Sequence, residues 1–141
     1  MQKLFNRIVL IDDDDISNYL TSRILNRAEI ALELIILNNG QQALDFFQSQ
    51  PNIPNPVVKR PDLVLLDINM AVMNGFELLE VLRYTNYLDN VKVVILSSSH
   101  SSKDVAEAAV YRISDYLTKP LDAEKLKHIV DSISNSQAVK K

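Results

Sequence analysis

Pro61-Asp62-Leu63-Val64-Leu65-Leu66-Asp67-Ile68-Asn69-Met70 is the stretch on which the fold turns. Leu63 to Leu66 is too short an apolar run for a helix and too apolar for a surface loop. It reads as a strand buried on both faces of a parallel sheet. The run stops at Asp67, which sets a carboxylate at the strand's C-terminal end. In open α/β sheets ligands and chemistry collect at that edge.

On either side of this strand, short apolar runs alternate with longer amphipathic segments, five of each. Ile8 to Ile11, Leu34 to Leu37, Val93 to Leu96 (with Val91) and Tyr116 to Thr118 are the other strands. After the first strand, helical spacing runs through Ile16, Tyr19, Leu20 and Ile24, with Asp14 or Asp15 placed to cap the start. The second helix carries Ala43, Leu44, Phe46 and Phe47, and the third Phe76, Leu79 and Leu82 behind a Met73-Asn74-Gly75 turn. The fourth is expected over about Ser102 to Arg112, with Val105, Ala108 and Ala109 on one side. The last opens at Asp122 and buries Leu126, Ile129, Val130 and Ile133. Strict alternation of this kind predicts a parallel sheet with helices on both faces and right-handed crossovers. Gln48 to Arg60 holds Pro51, Pro54 and Pro56, which exclude a helix or central strand and predict an exposed loop. The reading is one domain over residues 1–134, with a frayed tail over 135–141 and nothing left over for an output domain.

The 141 residues are enough to bury a full core, and 47% hydrophobic with 23% charged is ordinary for a globular chain. The absence of cysteine excludes disulfides, zinc-thiolate sites and thiol catalysis. A net charge of −3 with no basic block argues against a nucleic-acid surface. No signal-peptide pattern opens the chain, and no apolar stretch nears the ~20 residues that span a bilayer, so a cytoplasmic protein with no membrane contact is expected.

The strand ends bring chemistry together. Asp12 and Asp13 follow the first strand, Asp67 the third, Ser97 the fourth and Lys119 the fifth. If the first and third strands are neighbours, three carboxylates crowd one crevice, and each raises the pKa of the others unless a cation intervenes. Oxygen-only ligands of this number suit Mg²⁺, which keeps several waters; Mn²⁺ would serve as well. The same cation would neutralise an incoming phosphoryl group, with Lys119 a second positive charge and the Ser97 hydroxyl a donor. These are the parts of a phosphoryl-transfer site whose nucleophile is a carboxylate. Asp14 and Asp15 read instead as a solvated helix start, and His100 and His128 as ordinary surface or helix residues.

With these residues in place, the chain closely resembles the receiver domain of two-component response regulators, of the stand-alone type. Ile-Asp-Asp-Asp-Asp at 11–15, Leu-Leu-Asp-Ile-Asn-Met at 65–70, Met-Asn-Gly-Phe-Glu at 73–77, Val-Ile-Leu-Ser-Ser at 94–98 and Asp-Tyr-Leu-Thr-Lys-Pro-Leu at 115–121 carry the resemblance, in the family's order and spacing. The resemblance implies a flavodoxin-like doubly wound (βα)5 fold with strand order 2-1-3-4-5. It implies that Asp67 accepts a phosphoryl group from a phosphohistidine on a histidine kinase or histidine phosphotransfer protein. Asp13, Asp67 and the backbone carbonyl of Asn69 would hold Mg²⁺, with Asp12 acting through water. Lys119 would pair with phosphoryl oxygens, and Ser97 would swing toward the phosphate and draw in a switch aromatic, Tyr116. A cis Lys119-Pro120 bond is expected as well.

Three departures stand out. Ala71 replaces a usual proline, which predicts a less rigid loop after Asp67. Arg112 replaces a common glycine, so the turn there is expected to avoid positive φ. The proline loop before the third strand is longer than usual.

Two other functions compete. A phosphatase of the haloacid dehalogenase type also sets a nucleophilic Asp after an apolar strand, but needs a second Asp two residues on; Asn69 stands there and cannot shuttle a proton. A phosphorylation-independent binding module would be expected to lack one of Asp13, Asp67, Ser97 and Lys119, and all four are present. The expected output is a population shift in the face formed by the last two helices and fifth strand, read by a downstream protein, with homodimerisation open.

Overall fold

The computed structural model describes residues 4–49, 62–85, 87, 88 and 90–139, with side chains as far as residue 133. Among the described residues five strands, β1 (Phe5–Ile11), β2 (Ala31–Leu37), β3 (Leu63–Leu66), β4 (Lys92–Ser97) and β5 (Asp115–Thr118), alternate with five helices. These are α1 (Asp15–Ala28), α2 (Gly40–Gln48), α3 (Gly75–Arg83), α4 (Ser102–Ala108) and α5 (Ala123–Val139). All pairings are parallel and the order is β2-β1-β3-β4-β5, so β1 and β3 are neighbours as the crowding of their aspartates requires. All but the first two residues of the proposed proline loop lie outside the described residues; those two, Gln48 and Ser49, close α2.

Side chains of β3 alternate between two cores. Leu63 and Leu65 meet Leu25 of α1 and Leu126, Ile129 and Ile133 of α5 on one face. Val64 and Leu66 meet Ala43 and Phe47 of α2 and Leu78, Leu79 and Leu82 of α3 on the other. All four are buried, each stabilising the fold by roughly 2 kcal/mol, which fixes the register and hence the height at which Asp67 emerges.

Helix starts are set by short polar side chains. Asp14 caps α1, accepting the Ile16 and Ser17 amides, and Ser101 caps α4. Asn74 caps α3 in a reciprocal box with Glu77. Asp122 accepts the Lys125 amide at the start of α5, whose backbone runs on to Val139, past the expected start of the tail.

Three local expectations are corrected. Helix α1 buries Asn18, Thr21 and Leu25, while Ile16, Tyr19 and Leu20 are exposed. The fourth helix ends at Ala108, continues as a single 3₁₀ turn (Ala109–Tyr111), and of its expected stripe only Ala108 is buried. Arg112 then takes φ 55°, ψ 43°, the left-handed conformation it was expected to avoid. That turn is held from both sides: Tyr111 stacks on Phe76 with ring centroids 5.8 Å apart, and the Ser114 amide donates to the Val93 carbonyl at 2.7 Å. Such over-determination sustains a conformation that costs a non-glycine residue about 1 kcal/mol or more.

Candidate functional site

At the C-terminal edge of the sheet, β1 ends in Asp12 and Asp13 and β3 in Asp67. The Asp67 amide donates to the Ile11 carbonyl at 2.9 Å, continuing the β1–β3 ladder one residue past β3. Gly75 lets α3 close on this point. A Cβ there would lie 2.7 Å from the Asp67 carbonyl oxygen and 2.8 Å from Ile68 Cα, so only glycine fits.

Asp12 and Asp67 are buried, whereas Asp13 is exposed. Carboxylate oxygens of all three lie within 4.8 Å of one another. Lys119 reaches in from the loop after β5, its Nζ donating to Asp12 Oδ2 at 2.6 Å and standing 3.6 Å from Asp67 Oδ2. The Asp67 carboxyl is pushed above its ordinary range, first by burial and then by the negative charge of Asp12. The Asn69 amide, 3.2 Å from Asp67 Oδ1, and the Lys119 charge oppose that rise without cancelling it. One ammonium against three carboxylates leaves the crevice short of positive charge. An all-oxygen donor set in that condition fits a hard divalent cation.

Ser97, the last residue of β4, is fully buried. Its Oγ accepts from Asn69 Nδ2 at 3.2 Å and from the Ser99 amide at 3.1 Å, while its carbonyl accepts the Lys119 amide at 2.8 Å. Tyr116 lies on β5, half-buried, and its hydroxyl donates to the Ser99 carbonyl at 2.6 Å. Ser99 therefore bonds Ser97 through its N–H and Tyr116 through its C=O. The Lys119-Pro120 bond is cis.

The structure thus brings Asp12, Asp13, Asp67, Asn69, Ser97 and Lys119 together, with Tyr116 one residue removed through Ser99. Sequence reasoning missed two supports. Asn18 of α1 is buried and its Nδ2 donates to the Asp12 carbonyl at 2.9 Å. Lys125 of α5 bonds the Thr118 carbonyl at 2.6 Å and the Pro120 carbonyl at 3.0 Å, on both sides of Lys119. A polar residue on an otherwise mixed helix face gives no signal for the first. For the second, only a lysine one turn after a strand-stopping proline could have hinted.

The model of the response regulator receiver domain matches residues 8–131 of this sequence. The chain belongs to that family. Such receiver domains are modules of two-component signalling systems. Response regulator Rcp1 of Synechocystis is 33% identical over 128 residues, covering 91% of this receiver domain chain and 86% of its own. Rcp1 has also been solved in its Mn²⁺-bound form, with a TM-score of 0.70, 32% identity and 91% of each chain covered. A two-component response regulator from Cytophaga hutchinsonii superposes with a TM-score of 0.81 at 28% identity, covering 95% of this chain and 99% of that one. The phosphorylated cyanobacterial phytochrome response regulator RcpA gives 0.71 at 26% identity, over 91% and 90%. The strand order and helix placement are those of this fold, as the sequence predicted. Among the described residues no helix is long and apolar enough to cross a membrane.

Proposed function

We propose that this receiver domain accepts a phosphoryl group on Asp67 from a phosphohistidine of a histidine kinase or histidine phosphotransfer protein, and signals through the face that includes Tyr116. The observation that carries the reading is the shared crevice: the Asp67 carboxyl within reach of Lys119 and of two further aspartates. Its kinship with Rcp1 and with a phosphorylated regulator, RcpA, supports it.

Asp13, Asp67 and the Asn69 carbonyl would hold Mg²⁺ or Mn²⁺, with Asp12 joined through water; the bound ion supplies positive charge against a transferring phosphoryl group. Asp67 is the nucleophile: an Oδ–P bond forms as the donor's P–N bond breaks. Lys119, now occupied with Asp12, offers its ammonium to the phosphoryl oxygens. Ser97 exchanges its bonds to Asn69 and Ser99 for one to the phosphoryl group. Because Ser99 also holds the Tyr116 hydroxyl, that exchange shifts the population of Tyr116 positions, and a downstream protein reads the α4–β5–α5 face. Asn69 leaves no carboxyl two residues after Asp67 to act as general acid or base, so the acyl phosphate persists rather than turning over.

Incubation with acetyl phosphate, followed by intact mass, tests the reading. One phosphoryl adduct is expected with Mg²⁺, little without it, and none in Asp67→Asn. Full-rate modification without a divalent ion would remove the metal role, and multiple turnover of a generic phosphate ester would restore the hydrolase.

A further inference from the structure

We infer that the backbone amide of Ala71 positions Asp13, holding that carboxylate toward Asp12 and Asp67 so that the three can share a divalent cation. The inference rests on the acidic crevice being a cation site. Asp12 is buried and bonded to Lys119, and Asp67 is buried and bonded to the Asn69 amide. Asp13 is exposed, and an exposed aspartate is free to turn away into water. Its Oδ2 instead accepts the Ala71 N–H at 2.9 Å, across 58 residues of sequence. Held so, it keeps a carboxylate oxygen within 4.8 Å of those of Asp12 and Asp67. A carboxylate has lone pairs for both an amide and a cation, so the bond need not break on loading.

The turn that presents this amide carries backbone strain. The Met73 amide donates back to the Ala71 carbonyl at 2.7 Å, with Val72 between them at φ 69° and wholly exposed. A β-branched residue in that conformation is strained and gains nothing here from packing. The turn is therefore held by what surrounds it, and the Asp13–Ala71 bond, tying the loop after β3 to the loop after β1, is one such restraint. Proline, usual at this position in the family, has no N–H to give. The alanine noted as a loss of stiffness is also the gain of a donor. Outer donors of this kind orient metal ligands and are worth about 10–100-fold in affinity.

Mn²⁺ binding to the full chain, followed by the electron paramagnetic resonance of the free ion, tests this without any phosphoryl transfer. Ala71→Pro is expected to weaken binding about tenfold, the low end of that range because Asp13 is exposed. Ala71→Gly, which keeps the amide, should bind as wild type does. In an Asp13→Ala background, Ala71→Pro should cost nothing more. Equal affinity of Ala71→Pro and wild type overturns the inference, as does an undiminished proline effect without Asp13, which would assign it to loop shape. Failure of the wild type to bind Mn²⁺ would instead remove the cation site itself. Should Ala71→Pro not fold, amide exchange in the wild type decides: the Ala71 proton should be protected, and Asp13→Ala should abolish that protection. An unprotected Ala71 proton in the wild type, or protection that survives Asp13→Ala, overturns it.

Discussion

Asp67 is costly to the metal-free fold. Burial and the nearby Asp12 charge raise its pKa in the folded state above the ordinary value of 3.8. Between those two values the folded chain binds more protons at this group than the unfolded chain does. The group's contribution to stability therefore falls as pH rises through that window and stays unfavourable above it. Asp67→Asn is thus expected to be more stable than wild type at neutral pH in EDTA, with the advantage shrinking as pH falls toward 4, as urea denaturation at several pH values would measure. Saturating Mg²⁺ should reverse the order, because only the wild type gains from the ion. Lys119 has the opposite sign. Removing it leaves the buried Asp12 and Asp67 without their ammonium, and Lys119→Met should lose roughly 3 kcal/mol at neutral pH without metal. Part of that loss should return with added Mg²⁺.

Among the elements, the two glycines differ in what surrounds them. At Gly75 a methyl group meets the backbone of Asp67 and Ile68, at Gly40 the side chain of Met73 from Cβ to Sδ. Gly75→Ala should cost about 1–3 kcal/mol by denaturant titration and slow phosphorylation, since the loop bearing Asp67 must move; Gly40→Ala should cost less. Arg112→Gly should stabilise by roughly 0.5–1 kcal/mol, the relief of a left-handed backbone less the entropy glycine adds to the unfolded chain. These positions also mark where the sequence was and was not legible. The inner strands β1, β3 and β4 could be read because each is a run of buried apolar residues, the part-exposed edge strands β2 and β5 because short apolar stretches recur between helices, and the site because polar side chains fall where these strands stop. Lys119 and Asp12, 107 residues apart, were placed at one sheet edge by that reasoning, though their direct bond was not foreseen. The buried face of α1 was not legible: Ile16, Tyr19 and Leu20 point outward, while Asn18 is drawn inward by the Asp12 carbonyl. The conformation of Arg112 was hidden for a similar reason, being imposed by Tyr111 on Phe76 and by β4 rather than by its neighbours in the chain.

The molecule as a whole is one parallel sheet whose edge gathers charge, and the proposed signal would leave that edge through a short chain of hydrogen bonds. Ser97 Oγ, the Ser99 peptide and the Tyr116 hydroxyl connect the crevice to the α4–β5–α5 face. Ser97→Ala should consequently remain phosphorylatable at Asp67 while losing most of the amide chemical-shift response of Tyr116 and α4 to phosphorylation, measured by ¹⁵N correlation spectra. A response of undiminished size in Ser97→Ala would place the coupling elsewhere. All of this depends on the Asp67 carboxylate being the phosphoryl donor's target. Borohydride reduction of the acetyl phosphate-treated protein in Mg²⁺, which converts an acyl phosphate to homoserine, followed by peptide mass analysis, locates it directly. Homoserine at position 67 alone is the predicted result. Homoserine at 12 or 13, or none at all despite a phosphoryl adduct, would contradict it.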